Sequence, residues 1–310
     1  MCLRAAIATI GLVTAANALD PNRTPAQYIR EQWTIENEFP SGTVHAISQT
    51  PDGYLWIGTE TGLIRFDGFS FRAVPLSPLV SSPNTPVLGL TTDAGGNLLI
   101  QMQGAGVLRK RNEKFEIIAT GGAPSPSQVT AMWRDEKGQV LISDLVGGTL
   151  LLRNEKIEEL ASANILGSVP VISLAGTPDG KVWLGTLNSG LFYWTQGQAT
   201  NVGLIHKKIN CLLAIRADEV WVGTDEGLFR WNGSQFIHIA LPASLRVVQV
   251  LTLLRDRDAN VWVGTDRGLF RLNAGGISLS EEQDLRGDGG INSLFEDEGK
   301  GCVIYFVRID

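Results

Sequence analysis

Hydrophobic and polar positions alternate in short blocks, and these blocks return at a regular interval. The clearest block runs from Asp52 to Leu63, with an Asp-Gly turn, an apolar stretch around Trp56, a Gly-Thr pair, two variable residues and Gly-Leu. Close copies surround Trp183, Trp221 and Trp262. Short apolar runs bounded by turn residues predict β-strands.

Weaker copies complete the series, with leucine or valine in place of tryptophan. The positions that mark the repeats are Trp56, Leu99, Leu141, Trp183, Trp221, Trp262 and Val303, separated by 38 to 43 residues. A period of about 40–45 residues, with four strand-like blocks in each, is the signature of a propeller blade. We therefore predict an all-β fold, a seven-bladed β-propeller with four-stranded antiparallel blades over residues 43–310.

The seventh repeat departs from the others. After Val303 and Ile304 the Gly-Thr turn is absent, and Tyr305, Phe306 and Val307 follow directly. We expect the last blade to lack at least one strand of its own. Either the ring closes imperfectly here or the chain is a fragment of a longer polypeptide, and we favour the fragment.

The first 18 residues have the composition of a secretory signal peptide. Arg4 gives a positive start, Ala5–Val13 is largely apolar, and Ala16-Asn17-Ala18 is a small-x-small cleavage pattern. A buried N-terminal helix is the alternative. Export by this segment predicts a periplasmic protein.

Residues 19–42 precede the first repeat and form a separate N-terminal segment. Trp33, Ile35 and Phe39 give it a partly alternating aromatic pattern, which favours a strand over residues 31–37. Propellers commonly close by pairing a strand from one terminus with the blade formed by the other. The alternative is a helix whose first turn begins at Pro25.

Composition and charge exclude several classes of protein. The 310 residues are 44% hydrophobic and 19% charged, with a formal net charge of -6, and no stretch is rich in lysine and arginine. A nucleic-acid partner is therefore not expected. No run after the signal peptide approaches the roughly 18 apolar residues of a membrane span. Cys211 and Cys302 fall in repeats five and seven, so we expect core residues and no disulfide between them.

The sequence offers little catalytic or metal-binding chemistry. Its three histidines, His45, His206 and His238, are scattered and form no zinc motif. No catalytic residue, metal site or cofactor is predicted. The aspartates of Asp256-Arg257-Asp258 resemble a calcium loop only faintly and are expected in a turn. The repeated tryptophans are interpreted as packing residues between blades.

A ligand is expected on the face that carries the turns between strands two and three, together with the links between blades. Connections carry function because scaffold packing does not fix their identity. The longer links are Leu76–Pro86, Gly121–Gln128 and Gly276–Gly290. The turn residues that we predict to contact a ligand are Glu60, Asn188, Asp225, Glu226, Asp266 and Arg267; as single residues, each is also compatible with an ordinary polar turn.

The segment from Gln27 to Gly68 resembles the two-component regulator propeller family. The resemblance rests on Trp33, on the run Val44-His45-Ala46-Ile47-Ser48-Gln49-Thr50-Pro51-Asp52-Gly53-Tyr54-Leu55-Trp56-Ile57-Gly58-Thr59, and on Gly62-Leu63-Ile64-Arg65-Phe66-Asp67-Gly68. It extends over residues 27–304 and is strongest in repeats one, four, five and six.

The resemblance implies the exported, ligand-sensing region of a histidine kinase or diguanylate cyclase. Such proteins usually continue into a β-sandwich, a membrane helix and an output domain. Signalling would need those domains or a partner that carries them. The ligand would be a small molecule or glycan, and a dimer is left open. The alternatives are a periplasmic propeller lyase and a free glycan- or protein-binding scaffold.

Overall fold

The computed structural model describes most of the repeats. The described residues are 39, 43–76, 79, 80, 82, 84–118, 129–145, 148–153, 156–161, 166, 169–204, 207–241, 248–272, 279–281, 290–296 and 303–307. The predicted signal peptide lies outside them. The N-terminal segment with its closure strand also lies outside, apart from Phe39.

Within the described residues, twenty-four strands form six antiparallel sheets of four strands each, and within each sheet the strands follow chain order. Blades one to three consist of β1 (Val44–Gln49), β2 (Leu55–Thr59), β3 (Gly62–Phe66), β4 (Phe71–Val74), β5 (Val87–Thr92), β6 (Leu98–Met102), β7 (Gly106–Arg111), β8 (Lys114–Ile117), β9 (Val129–Arg134), β10 (Val140–Asp144), β11 (Thr149–Arg153) and β12 (Lys156–Ala161).

Blades four to six and the seventh repeat continue the same pattern. Their strands are β13 (Val171–Gly176), β14 (Val182–Thr186), β15 (Leu191–Thr195), β16 (Gln198–Gly203), β17 (Ile209–Arg216), β18 (Glu219–Thr224), β19 (Gly227–Trp231), β20 (Phe236–Ile239), β21 (Val250–Arg255), β22 (Val261–Thr265), β23 (Gly268–Leu272), β24 (Leu279–Glu281), β25 (Ile291–Glu296) and β26 (Val303–Val307).

The first strand of each sheet is its inner strand. Each inner strand contacts the inner strand of the next sheet, from β1 through β5, β9, β13, β17 and β21 to β25. Because β25 also contacts β1, the inner strands close a ring. The all-β propeller with four-stranded antiparallel blades is therefore confirmed.

The predicted count of seven blades is wrong, since the part of the chain that the structure describes forms six four-stranded blades. In the described part of the seventh repeat, β25 pairs only with β26, which gives a two-stranded sheet between blades six and one. The physical reason lies in the residues that follow the apolar run of the seventh repeat. Each four-stranded blade has a glycine at, or one residue before, the start of its third strand, six or seven residues after its marker residue, whereas the seventh repeat has Ile309 and Asp310 at these positions.

The glycine of each Gly-Thr pair lies at the contact between neighbouring blades. A Cβ added to Gly58 would be 2.6 Å from Cγ1 of Val87, the first residue of the next inner strand. Three further pairs repeat this contact: Gly185 with Ile209, Gly223 with Val250 and Gly264 with Ile291. The last pair shows that the two-stranded sheet packs on blade six as a complete blade would.

The repeated tryptophans are buried, which confirms their interpretation as packing residues. Trp56, Trp183, Trp221 and Trp262 are all at least 94% shielded from solvent. Two of the indole nitrogens donate to the blade's first turn, Trp56 to Thr50 Oγ1 and Trp262 to Asp256 Oδ2, each at 2.8 Å. These two tryptophans thus join the core between blades to the turn at the end of their own hairpin.

Polar side chains also connect the blades at the inner strands. The carbonyl of the first inner-strand residue accepts a hydrogen bond from the preceding blade in four consecutive cases. The donor and acceptor pairs are Gln101 Nε2 to Val129 at 3.0 Å, Thr130 Oγ1 to Val171, Ser173 Oγ to Ile209 at 2.7 Å and Asn210 Nδ2 to Val250 at 3.1 Å. These bonds give neighbouring blades a polar connection at the start of each inner strand.

Candidate functional site

The turns between strands two and three lie beside the links that enter each blade. The backbone N–H of Glu60 donates to the carbonyl of Thr43 at 3.0 Å, and that of Asp266 donates to Gln249 at 3.0 Å. The same bond joins Gln103 to Pro86 and Leu187 to Pro170. These turns and links therefore share one end of the ring, which we call the second-turn face.

The threonine of the Gly-Thr pair holds the turn together. Thr59 Oγ1 donates to the carbonyl of Gly62 at 3.0 Å and accepts from the N–H of Thr61 at 3.2 Å. Thr224 and Thr265 repeat both bonds in their own turns. Gly62 has φ 132°, a conformation that favours glycine. The constant residues thus build the turn and leave the two residues between them free to vary.

The structure places all six predicted site residues in these turns. Asp225 and Asp266 are half-buried, whereas the other four, Glu60, Asn188, Glu226 and Arg267, are exposed. They are spread over blades one, four, five and six, so they lie around the face and not in one turn. Neighbours in sequence are brought together, with Arg267 Nε 3.9 Å from Asp266 Oδ2.

Two turns with nearly the same sequence use their aspartates differently. In blade six, Asp266 Oδ1 accepts the N–H of Gln249 at 2.9 Å and so anchors the incoming link. In blade five, the Oδ1 atom of Asp225 is buried and has no hydrogen-bond partner within the described part of the chain. Glu226, beside it, forms an ion pair with Lys207 of the link. Asp225 therefore has acceptor capacity that a ligand or a water molecule would satisfy.

Two exposed leucines on the same face were not predicted from the sequence. Leu145 and Leu187 are 46% and 42% exposed, in the turns of blades three and four. The signal was available, because Leu187 follows the conserved threonine where the other repeats have Glu60, Asp225 or Asp266. The second-turn face thus exposes a leucine in each of blades three and four and carries acidic residues in blades five, six and one.

Asp256 and Cys211, two residues whose types can bind metals or undergo redox chemistry, have structural roles. Asp256 Oδ1 accepts the N–H of Asn260, and Oδ2 accepts both the Asn260 amide and the Trp262 indole, each at 2.8 Å. This carboxylate therefore builds its turn. The Cys211 thiol contacts the carbonyl of Val250, and burial raises its pKa. His206 and Cys302 lie outside the described residues.

These blades, their ring of inner strands and the second-turn face define a β-propeller. Within this class, residues 38–61 match the family model described as the two component regulator propeller. The match covers the first two strands of blade one and confirms the resemblance seen in the sequence. No curated protein sequence matches the chain. None of the described residues forms a helix long and apolar enough to cross a membrane.

Solved structures show the same fold. The extracellular domain of the hybrid two-component system BT4673 from B. thetaiotaomicron is 19% identical, covering 86% of this chain and 39% of that chain, with a TM-score of 0.71. The corresponding domain of BT3049 is 19% identical over 88% of this chain and 41% of that chain, with a TM-score of 0.71. This chain thus spans about two fifths of the length of either domain.

An enzyme shares the fold at lower similarity. A catalytically inactive virginiamycin B lyase from Staphylococcus aureus, solved with quinupristin, is 12% identical. The matched region covers 82% of this chain and 88% of the lyase chain, with a TM-score of 0.65. At these identities the likenesses establish the architecture alone, because one propeller scaffold supports different functions.

Proposed function

We propose that this chain is the exported, ligand-sensing propeller of a two-component or diguanylate cyclase signalling protein. The first-repeat match and the likeness to extracellular domains of hybrid two-component systems support a sensor. The proposal includes a periplasmic location reached through the signal peptide at 1–18. It also includes β-sandwich, membrane and output domains, supplied by a longer chain or by a partner, and it is compatible with a dimer.

The observation that carries the proposal is the contrast within the second-turn face. Thr59, Thr224 and Thr265 make the same two hydrogen bonds in their turns. The residues between each threonine and the following glycine differ from blade to blade and include acidic, basic and amide side chains. A constant scaffold with variable tips is the arrangement that ligand-binding loops use.

The ligand that we propose is a small molecule or glycan that rests on this face. Exposed Glu60, Asn188 and Arg267 would supply hydrogen bonds at its rim, and Asp225 would supply the unused acceptor. Binding would change how the propeller packs on the next domain, and the output domain would respond to that change. A lyase remains the enzyme alternative. The similarity to the lyase is a similarity of fold, and the residues of the second-turn face do not favour it.

A thermal-shift screen with neutral sugars, sugar acids and amino acids tests the ligand face. The triple variant Glu60→Ala, Asn188→Ala and Arg267→Ala should unfold at the same temperature as the natural chain but lose the shift caused by any compound that binds this face. Glu136→Ala with Lys137→Ala, two exposed residues in the first turn of blade three, is the control. If the triple variant responds to every binding compound as the control does, the ligand does not rest on this face.

A further inference from the structure

A small cleft lies at the opposite end of the ring, among blades one, two and three. Its volume is about 230 Å³, and it is lined by the last residues of three successive inner strands, Gln49, Thr92 and Arg134. This end carries the turns between strands one and two, and we call the space the Arg134 cleft. Its volume lies below the roughly 300–1,000 Å³ of sites for drug-sized ligands, so it fits one small ring.

Fixed turns form the wall of the cleft. Asp93 lines it, and its carboxylate is held by the N–H groups of Gly95 at 2.9 Å and Asn97 at 3.0 Å. Arg109 lies 3.4 Å from the same carboxylate and balances its charge inside blade two. A Cβ on Gly96 would be 2.6 Å from Pro51 Cγ, so the turns of blades one and two pack directly against each other.

Arg134 is the cation among the residues that line the cleft. Its side chain is exposed and makes no hydrogen bond or ion pair with the residues that the structure describes. The hydroxyl of Thr92, on the adjoining inner strand, also makes no hydrogen bond in that part of the chain. The cleft therefore presents a guanidinium fork and a hydroxyl donor on a rigid, largely polar wall.

We propose that the Arg134 cleft binds the carboxylate of a molecule the size of a monosaccharide. A planar guanidinium binds a carboxylate through two parallel hydrogen bonds. A single negative charge is favoured over the two of a phosphate monoester, because the Asp93 carboxylate lines the same space. Thr92 would donate to a carboxylate oxygen or to a neighbouring ring hydroxyl. This site lies opposite the second-turn face, so it does not depend on the proposed sensor role.

Isothermal titration calorimetry of the purified chain with glucuronate, glucose and glucose 6-phosphate tests this proposal. The first two compounds share a ring and differ at C6, where one has a carboxylate and the other a hydroxymethyl group. We expect glucuronate to bind about tenfold or more tightly than either of the others, the effect of one charge-assisted pair of hydrogen bonds. No heat from glucuronate at millimolar concentration, or equal affinity for glucose, would overturn the proposal.

A matched pair of arginine variants locates the binding. Arg255 ends the inner strand of blade six at the same register as Arg134 in blade three, because they pair with Val261 and Val140. Arg255 is also exposed and makes no hydrogen bond or ion pair with a described residue, but it does not line the cleft. Arg134→Gln should weaken glucuronate binding about tenfold, whereas Arg255→Gln should leave it unchanged.

Circular dichroism of both variants is the test of folding. If both fold, a loss of glucuronate binding can be assigned to the loss of the arginine charge. Equal weakening by Arg134→Gln and Arg255→Gln would show only a general effect of net charge and would refute the site. If Arg134→Gln weakens glucuronate binding while Arg255→Gln and the triple variant of the second-turn face do not, the binding site is the Arg134 cleft. This result would hold whether or not the chain belongs to a sensor.

Discussion

Gly58 shows why the repeat has glycine before threonine. Its backbone lies against Val87 of the next blade, and an added Cβ would meet Cγ1, the carbonyl oxygen and Cβ of that valine at 2.6, 3.0 and 3.2 Å. Valine is stiff at χ1, so it cannot turn away without a cost. The φ of Gly58 is not in the left-handed region, so the backbone conformation does not require glycine here. The close approach of the next blade requires it.

A double-mutant cycle tests this contact at the residue scale. Gly58→Ala should lower the free energy of unfolding by about 1–3 kcal/mol through overpacking. Val87→Ala should cost about 2 kcal/mol through lost burial. Because Val87→Ala also removes the Cγ1 clash, the double variant should be more stable than the sum predicts by about 1 kcal/mol, measured by urea unfolding. Strict additivity would contradict the proposed contact.

The two-stranded sheet of β25 and β26 is the element that completes the ring. Ile291 packs at Gly264 of blade six, and the Glu296 carboxylate accepts the N–H of Arg257 at 3.1 Å. Burial raises the pKa of Glu296 against the effect of that hydrogen bond. On the other side, Phe295 packs against the core of blade one in a cluster that includes Phe39.

Phe39 links the N-terminal segment to this junction. Its side chain is buried, and its ring meets that of Phe71 edge to face with the centroids 5.1 Å apart. Phe39→Ala should therefore lower the free energy of unfolding by about 3–5 kcal/mol. Phe69→Ala is the matched control, because Phe69 is 94% exposed and its loss should cost less than about 0.5 kcal/mol. Similar urea midpoints for the two variants would show that Phe39 does not support the junction.

At the scale of the whole molecule, the repeat predicted the architecture well. The period and the Trp-x-Gly-Thr phrase predicted four-stranded blades, buried tryptophans and a common face for turns and links, because each depends on local sequence. The blade count was wrong because it was taken from the number of repeats. Repeat seven keeps the apolar run at Val303, but it has Ile309 and Asp310 where the complete blades have the glycine that leads into the third strand.

The site was predicted less completely, for physical reasons that can be traced to particular residues. Asp225 and Asp266 lie in almost identical turns. Oδ1 of Asp266 accepts a hydrogen bond from the incoming link, whereas Oδ1 of Asp225 has no partner within the described residues. Only the three-dimensional position of the link distinguishes the two. The Arg134 cleft combines residues from three blades that no sequence motif connects. Leu145 and Leu187 were not predicted because only polar turn residues were expected to contact a ligand.

The sensor role is the central claim, and the gene that encodes the chain tests it most directly. Sequencing the DNA on both sides of the codons for residues 1–310, with translation in all frames, should reveal a membrane helix and a histidine kinase or diguanylate cyclase domain. These should lie in the same reading frame or in an adjoining gene. If neither neighbouring region encodes such domains, the sensor proposal is contradicted, and a free binding protein or lyase becomes the better account.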